Sequence, residues 1–174
     1  TDVCGEEQGN RLLNSYRHSF TSAYREHFGA SSAVYDIQRI EALSESNPIT
    51  MSFYRVLEQS PEILRFKLFN ADQLLVLSDV IPVLENLGMR VVGEHPYAVS
   101  RSDGRQFWIH DFTLTYQGDE PVVLEQVQDV FQNAFANIWN DRAENDEFNQ
   151  LVIGANLNWR EVAMLRAYAR YSQQ

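Results

Sequence analysis

The period of the hydrophobic pattern changes twice along this 174-residue chain, and these two changes constrain its fold most strongly. Apolar residues recur every three or four positions up to residue 43, alternate with polar residues in the predicted strands between Ile49 and Tyr116, and return to the wider spacing after Tyr116. A period near 3.6 is typical of an amphipathic helix, and a period of 2 is typical of a half-buried strand. The sequence therefore predicts a β-rich centre between two helical flanks.

The N-terminal flank is expected to form two helices. The first runs to Gly29, and its apolar stripe consists of Leu12, Tyr16, Phe20, either Ala23 or Tyr24, and Phe28. Ser31 or Ser32 is expected to cap the second helix, which closes near the polar stretch SESNP.

The centre begins with two predicted strands at residues 49–56 and 62–69. The connection LEQSPE between them is short, which favours an antiparallel hairpin. In the second strand Arg65 and Lys67 alternate with apolar residues, and we expect both side chains to face water.

A short helix, a second hairpin and a long helix follow. Ser78 or Asp79 is expected to cap the helix at 78–87, with Pro82 in its first turn and Gly88 directly after it. The turn signal SDG joins two strands within 89–116, and GDEP introduces a helix at 122–140 with Pro121 near its first position.

The order of these elements predicts an α+β fold. Residues 62–140 give βαββα, which is a ferredoxin-like unit that lacks its last strand. The strand at 49–56 could fill that place from the N-terminal side, because a hairpin links it to the first strand of the unit. The result is a permuted ββαββα arrangement, a four-stranded antiparallel sheet flanked by helices at both ends.

Composition excludes several classes of function. The net charge of -10 argues against nucleic acid or an anionic membrane as a partner, since both need a positive footprint. No apolar run approaches the roughly 18 residues that a membrane span needs. Cys4 is the single cysteine, which fits a reducing cytoplasm and excludes an intrachain disulfide.

The usual catalytic motifs are missing from the sequence. The eight glycines fit neither a dinucleotide fingerprint nor a phosphate loop, so no cofactor is expected in this chain. Lys67 is the only lysine. The histidines lack metal-ligand spacing, so we expect no metal site. The acidic stretch 141–149 is interpreted as a solvated loop.

Two groups of residues are kept as candidates for chemistry. The turn NADQLLVLSD, with Asn70, Ser78 and Asp79, could present backbone N–H groups at a helix start to the carboxylate of an amino acid, although Ser78 and Asp79 could simply be helix caps. A module that binds an amino acid on its own is one alternative function, and a small independent enzyme whose site consists of Glu94, His95, His110 and Asp111 is another. His110 and Asp111 are neighbours in a predicted strand, so their side chains should point to opposite faces.

Three long stretches carry a family resemblance. LRFKLFNADQLLVLSDVIPVLENLGMRVVGEHPYAV, WIHDFTL and FNQLVIGANLNWREVAMLRAYARY resemble the large bacterial NAD-specific glutamate dehydrogenases. The resemblance implies the third of several ACT-like domains and the helical segment after it, upstream of the catalytic region. Residues 1–46 would be a helical lead-in, 47–140 the ACT-like domain and 141–174 the helical segment.

The resemblance also carries functional implications. The intact enzyme would convert L-glutamate, NAD and water to 2-oxoglutarate, ammonium and NADH in the cytoplasm, whereas this part alone is expected to be inactive. No catalytic or cofactor-binding residue is carried over. The implied partners are other domains or subunits of the same enzyme, and an amino-acid effector is an additional possibility.

The last stretch, NWREVAMLRAYARYSQQ, has a helix start and no stop signal. Asn158 and Glu161 have the spacing of a capping box, but no Gly, Asn or Pro closes the helix. We therefore expect both ends of the chain to be cut ends of a longer protein. Trp159, Val162, Ala163 and Leu165 are expected to pack back on helix 122–140, and Tyr168 and Tyr171 to contact parts of the enzyme beyond this chain.

Overall fold

The computed structural model describes residues 3–172, without the side chains of residues 3–6 and 8. The thiol of Cys4 lies outside the described side chains. The chain divides into two compact units. The first unit contains the residues up to Met51 together with Lys67–Leu74 and His95–Asp111, and the second contains Ser52–Phe66, Leu75–Glu94 and the residues from Phe112 onward.

Seven α-helices and one short 3-10 helix are found within residues 3–172. The 3-10 helix is Glu147–Gln150. The α-helices are α1 (Val3–Ser15), α2 (Ser22–His27), α3 (Ala30–Glu41), α4 (Leu77–Asn86), α5 (Leu124–Trp139), α6 (Leu151–Gly154) and α7 (Trp159–Ser172). None of the helices in this range has the length and apolar character that crossing a membrane requires.

Four strands form one antiparallel sheet in the order β1-β2-β4-β3. The strands are β1 (Thr50–Tyr54), β2 (Ile63–Ala71), β3 (Met89–Ser100) and β4 (Gln106–Tyr116). The first strand in sequence thus pairs beside β2, as the permuted ββαββα arrangement predicts. The turn between β3 and β4 uses Gly104 at φ +88°, a left-handed conformation that favours glycine. Pro96 lies in the edge strand β3, where the missing N–H is tolerated.

The core of the first unit is rich in aromatic and aliphatic side chains from α2, α3 and three strands. Tyr24 packs edge-on against Tyr97, with their ring centroids 5.7 Å apart. Buried residues around this pair include Tyr16, Ile37, Ile40, Phe69, Val99, Phe107 and Ile109. Burial of such side chains stabilises the fold by roughly 1.5–3 kcal/mol each.

The prediction of one continuous helix up to Gly29 is wrong, because a non-helical segment separates α1 from α2. Phe20 forms an antiparallel bridge with Val99, and the N–H of Ser100 donates to the carbonyl of Ser19 at 3.2 Å. Thr21 then caps α2 by accepting a hydrogen bond from the N–H of Tyr24 at 3.3 Å. Pairing with a strand distant in sequence has replaced the helical continuation.

The expectation that Lys67 faces water is also wrong. Only 3% of Lys67 is exposed, since α2 and α3 supply the aromatic and acidic side chains around it. Its alternation with apolar neighbours is real, but it reflects a second covered surface of the strand rather than a solvated one.

In the second unit, α5 packs on the sheet through phenylalanine side chains. Phe131 stacks on Phe53 with ring centroids 4.4 Å apart and meets Phe66 edge-on at 5.4 Å. Phe135 contacts Phe66 from the next helical turn, with centroids 5.1 Å apart. Because Phe131 and Phe135 are four residues apart, they lie on the same face of α5.

Several predicted helix starts are shifted. Gly29 rather than Ser31 or Ser32 is the N-cap of α3, and Val123 is the N-cap of α5, so Pro121 lies before the helix. Val76 is the N-cap of α4 and makes no side-chain cap bond. Pro82 lies inside α4 rather than in its first turn. The stop after α4 is as predicted, with Gly88 at φ +95°.

Candidate binding surfaces

The three predicted ligand-binding residues belong to two separate units. Asn70 is near the end of β2 in the first unit, where its amide N–H donates to the carbonyl of Gln73. Its Oδ1 is buried and has no hydrogen-bond partner among residues 3–172. Ser78 and Asp79 lie exposed in the first turn of α4, in the second unit, and neither side chain caps the helix. Their role in ligand binding stays a prediction.

The residues of the alternative small enzyme have very different exposure. His110 and Asp111 in β4 are each 1% exposed, so no substrate reaches them directly. His95 is exposed and stacks on Tyr97, with ring centroids 6.1 Å apart. Glu94 belongs to the second unit. The second unit has two cavities, and none of these four residues lines either of them.

A buried charged cluster lies in the first unit. The Lys67 ammonium is 2.7 Å from Oδ2 of Asp36, and the hydroxyl of Tyr24 donates to the same oxygen at 2.6 Å. The ammonium also lies 3.7 Å from the centroid of the Phe28 ring, a cation–π contact. Burial raises the pKa of the Asp36 carboxyl and the nearby Asp111 adds to this rise, whereas Lys67 and Tyr24 oppose it.

This cluster has the composition of a structural ion pair. Both charged side chains are almost wholly covered, with 4% of the Lys67 side chain and 2% of the Asp36 side chain exposed. A catalytic lysine would need access to a substrate. The arrangement instead ties α2 and α3 to β2 within the first unit.

The second unit contains an open cavity of about 610 Å³. Its apolar part includes Leu64, Pro121 and Val122, and its polar part combines Arg55 and Tyr116 with the carboxylates of Glu62, Asp119, Glu120 and Glu125. Volumes of about 300–1,000 Å³ are usual for small-molecule sites. A second cavity of about 370 Å³ lies beside the loop at 141–145.

Arg55 is the only basic side chain that lines this larger cavity. Its Nη2 donates to the carbonyl of Val122 at 2.9 Å, and no carboxylate among residues 3–172 forms an ion pair with it. The Nε atom is buried and lacks a hydrogen-bond acceptor within the same range. A charged donor therefore lies in a cavity lined by carboxylates without pairing with any of them.

Tyr116 forms another wall of the cavity and is closely surrounded by glycines. A Cβ atom on Gly118 would come within 2.2 Å of the Tyr116 ring, and one on Gly88 within 3.1 Å. Burial raises the pKa of the Tyr116 phenol, and the carboxylates of Asp119 and Glu120 raise it further. A phenol hydroxyl can act as a hydrogen-bond donor and as an acceptor.

The predicted capping box of α7 is confirmed. The N–H of Asn158 donates to Oε1 of Glu161 at 3.1 Å, and the N–H of Glu161 donates to Oδ1 of Asn158 at 2.9 Å. Val162 is buried as expected. The expectation for Leu165 is wrong, because 43% of this residue is exposed.

The acidic stretch 141–149 is not simply a solvated loop, since α7 pairs with it. Arg166 donates to the two carboxylate oxygens of Asp146 at 2.6 and 2.8 Å and to Oδ1 of Asn149 at 2.9 Å. Arg170 binds the carboxylate of Glu144 with both terminal nitrogens. The hydrogen bond from Arg166 lowers the pKa of Asp146. These pairs fix α7 against the preceding loop.

The opposite surface of α7 carries an exposed apolar stripe, formed by Met164, Tyr168 and Tyr171. These residues are 72%, 71% and 78% exposed. They follow one another at intervals of four and three residues, so they share a helix face, about half a turn away from the buried Val162 and Arg166. A helix that is apolar on two faces is typical of an element covered from both sides.

Sequence reasoning missed Arg55, Tyr116 and Arg166. GDEP, close after Tyr116, predicts only a helix start, and the sequence pattern singles out neither arginine. No local pattern marks the two arginines, because the partner of Arg55 is 67 residues away and those of Arg166 are 17 and 20 residues away in the sequence. Among the described residues no group of three or more His, Cys, Asp or Glu side chains is arranged to hold a metal ion.

Three family models match the chain in consecutive parts. The ACT3 domain of glutamate dehydrogenase matches residues 48–127. Helical motif 2 of glutamate dehydrogenase matches residues 1–43, and helical motif 3 matches residues 143–174.

Full-length relatives point the same way. The NAD-specific glutamate dehydrogenases of Halomonas elongata and Pseudomonas aeruginosa are each 49% identical to the chain over 170 residues, which is 98% of the chain. The NAD-specific glutamate dehydrogenase of Mycobacterium tuberculosis is 32% identical over 164 residues, or 91% of the chain. The chain spans about a tenth of the length of these curated relatives, 10% in each case. It therefore belongs to the ACT3 and helical-motif part of the glutamate dehydrogenase family.

Proposed function

We propose that this chain is a non-catalytic assembly or regulatory module of an NAD-specific glutamate dehydrogenase. The intact enzyme would convert L-glutamate, NAD and water to 2-oxoglutarate, ammonium and NADH, and it would work in the cytoplasm. The proposed organisation is a helical lead-in at residues 1–46, an ACT-like domain at 47–140 and a helical segment at 141–174. NAD and glutamate would bind elsewhere in the intact chain.

The exposed stripe of α7 supports the assembly role. Met164, Tyr168 and Tyr171 present large apolar surfaces to solvent in a row on one helix face. Covering such side chains stabilises a contact by roughly 1.5–3 kcal/mol each, and contiguous exposed apolar surface is typical of protein–protein contacts. Other domains or subunits of the same enzyme are the partners that we propose for this surface.

The assembly role is tested in the intact enzyme. Replacing Met164, Tyr168 and Tyr171 together by Ser should weaken the assembly, because the stripe would no longer exclude water from the contact. Sedimentation and dehydrogenase activity measured over a range of protein concentrations should show dissociation at higher concentrations than for the unmodified enzyme. An unchanged sedimentation profile and unchanged activity would contradict the role of the stripe.

Leu57→Ser is the matched control for this experiment. Leu57 is 96% exposed but stands alone in the loop between β1 and β2, and single exposed apolar residues are common on protein surfaces. We expect this change to leave the assembly as it is. The 174-residue chain by itself, mixed with glutamate and NAD, should form no NADH, and measurable formation of NADH would overturn the non-catalytic role.

An amino-acid effector belongs to the regulatory side of the proposal. Asn70, Ser78 and Asp79 are the proposed ligand-binding residues, of which Asn70 has a buried oxygen without a hydrogen-bond partner among residues 3–172. If an amino acid binds there, the melting temperature of the chain should rise with its concentration, and Asn70→Ala should reduce the rise. A flat melting temperature across a panel of amino acids would favour a purely architectural role.

A further inference from the structure

The outward surface of α7 carries a positive charge beside its apolar stripe. Arg160 is exposed and lies four residues before Met164, so it continues the stripe by one turn towards the start of the helix. Its guanidinium carbon is 5.2 Å from the centroid of the Trp159 ring, and no carboxylate in the described part of the chain forms an ion pair with it. This surface therefore combines large apolar side chains with an arginine that has no ionic partner there.

The cavity of about 610 Å³ in the second unit has the opposite charge. Arg55 is the one basic residue in its described lining, which also contains four exposed carboxylates, those of Glu62, Asp119, Glu120 and Glu125. None of the four forms an ion pair with another described residue. Negative charges gathered in a cleft attract a cation, because their fields add. The cavity therefore has an excess of negative charge that these residues leave unbalanced.

The wall of the same cavity is apolar. Leu64 and Val122 are buried residues of this wall, whereas Pro121 and Val123 are exposed, with 47% of Val123 accessible. The volume lies within the range of about 300–1,000 Å³ that is usual for sites that enclose small molecules. The cavity is therefore large enough for aromatic side chains that project from a docked helix.

The two surfaces complement each other in charge and in polarity. A tyrosine can bury its ring on an apolar wall while its hydroxyl donates to a carboxylate, and a guanidinium fork matches a carboxylate directly. Tyr and Arg are also enriched among the residues that contribute most to protein–protein binding. The chain as a whole has a net charge of -10, yet α7 contains three arginines and one glutamate. This helix is thus suited to a cavity that would repel most of the surface of an acidic chain.

We propose that α7 of one copy of this chain docks into the larger cavity of a second copy. The tyrosines of the stripe would lie on the apolar wall, and Arg160 would lie beside Asp119 and Glu120. The inference rests on the assembly role proposed above and names the surface that receives the stripe. The contact is heterologous, because the two copies contribute different surfaces, so each copy can bind one neighbour through α7 and another through its cavity.

The test reverses one charge on each side of the contact in the intact enzyme. Arg160→Glu brings a negative charge to the acidic cavity, and Glu120→Arg brings a positive charge to the arginine of α7. Either change alone should raise the protein concentration at which half of the assembly dissociates by roughly tenfold or more, because like charges that face each other across a contact are strongly unfavourable. Sedimentation over a range of protein concentrations measures this midpoint.

A mixture of the two variants decides between a direct contact and an indirect structural effect. In an equal mixture, the altered α7 of one variant meets the altered cavity of the other, and the two unaltered surfaces also match. The mixture should therefore assemble at nearly the concentration of the unmodified enzyme, although neither variant does so alone. A mixture that dissociates like the single variants would overturn the inference. Restoration only when both changes are in the same chain would place the contact within one chain and overturn it as well.

Two charge reversals elsewhere in the second unit are the matched controls. Glu85 of α4 and Arg90 of β3 are exposed and do not line the cavity, so Glu85→Arg and Arg90→Glu should leave the midpoint unchanged. The Ser replacements of the stripe separate this inference from the assembly role. If they weaken the assembly while Arg160→Glu and Glu120→Arg do not, the assembly role stands and the inference is overturned. If the Ser replacements have no effect either, both proposals fail.

Discussion

The two units each contain an arginine or lysine that is almost fully covered, yet the carboxylate partners differ in exposure. In the first unit, Lys67 pairs with Asp36, and only 2% of that carboxylate side chain is exposed. In the second unit, Arg166 pairs with Asp146, and 29% of the carboxylate side chain is exposed. The first pair is therefore fully removed from water, whereas the second keeps part of its hydration.

The difference teaches how each pair affects stability. A pair removed from water is held against a large desolvation cost, so losing one partner leaves a buried charge with nothing to balance it. Removing one partner of a partly solvated pair costs less stability, because water can replace the missing partner. The guanidinium of Arg166 makes three hydrogen bonds in a planar arrangement, whereas the contacts of the Lys67 ammonium include the ion pair with Asp36 and the face of Phe28.

The largest expected effect is the loss of Lys67. Lys67→Met should lower the free energy of unfolding by about 3–5 kcal/mol, because Asp36 would remain buried without its cation. Chemical denaturation of the 174-residue chain measures this loss. Arg65→Met is the matched control on the same strand, and its partly exposed contacts should be worth less than about 1 kcal/mol.

Replacing both partners sharpens this test. In Lys67→Met with Asp36→Asn, the negative charge of Asp36 is removed while an acceptor for the Tyr24 hydroxyl remains. We expect the double variant to be more stable than Lys67→Met alone. If the losses of unfolding free energy caused by Lys67→Met and by Asp36→Asn simply added in the double variant, the two residues would not be coupled. The comparison between the units would then lose its basis.

The next effect in size concerns Arg166. Arg166→Met should cost about 2–3 kcal/mol, since it removes charge-assisted hydrogen bonds to Asp146 and one to Asn149. Arg170→Met, one turn further along α7 and 60% exposed at the side chain, should cost less than about 1 kcal/mol. Similar losses for both arginines would show that burial does not separate them.

The sequence allowed the sheet order to be predicted but not the partners of its buried charges. The strand alternation, the SDG turn and the hairpin connection are local signals, and they were enough to place β1 beside β2. The burial of Lys67 depends on Phe28, the residue directly after α2, and on Asp36 of α3, which lie 39 and 31 residues away. Periodicity shows that a residue faces one side of a strand, but not whether another element covers that side.

The same limit explains the helix break and the cavity. SFTS at residues 19–22 fits a helical stripe, and only the bridge between Phe20 and Val99 shows that the helix is interrupted there. The cavity needs Arg55 from the end of one strand and Tyr116 from the end of another, and no spacing rule joins them. Capping signals are local, which is why Asn158 and Glu161 were predicted correctly.

A smaller effect is expected from that capping box. Asn158→Ala should lower stability by about 1 kcal/mol, because the N–H of Glu161 would lose its acceptor at the start of α7. Ser78→Ala is the control at the start of α4, where the serine makes no cap bond, and it should change stability by less than about 0.5 kcal/mol. Chemical denaturation of both variants compares a true cap with a residue that only resembles one in the sequence.

The smallest effect separates the pairs by pH. The hydrogen bond from Arg166 lowers the pKa of Asp146 in the folded chain, so its contribution is fully present above the unfolded pKa of about 3.9 and is lost as the pH falls through the folded value. The advantage of the unmodified chain over Arg166→Met should therefore be constant from pH 7 to about pH 5 and should shrink below about pH 4. For Asp36 burial raises the pKa, so acidification neutralises a buried charge and should partly relieve the Lys67→Met variant. Melting temperatures of the three chains between these pH values measure both trends, and parallel curves for the two variants would show that the solvent exposure of the carboxylate does not distinguish the units.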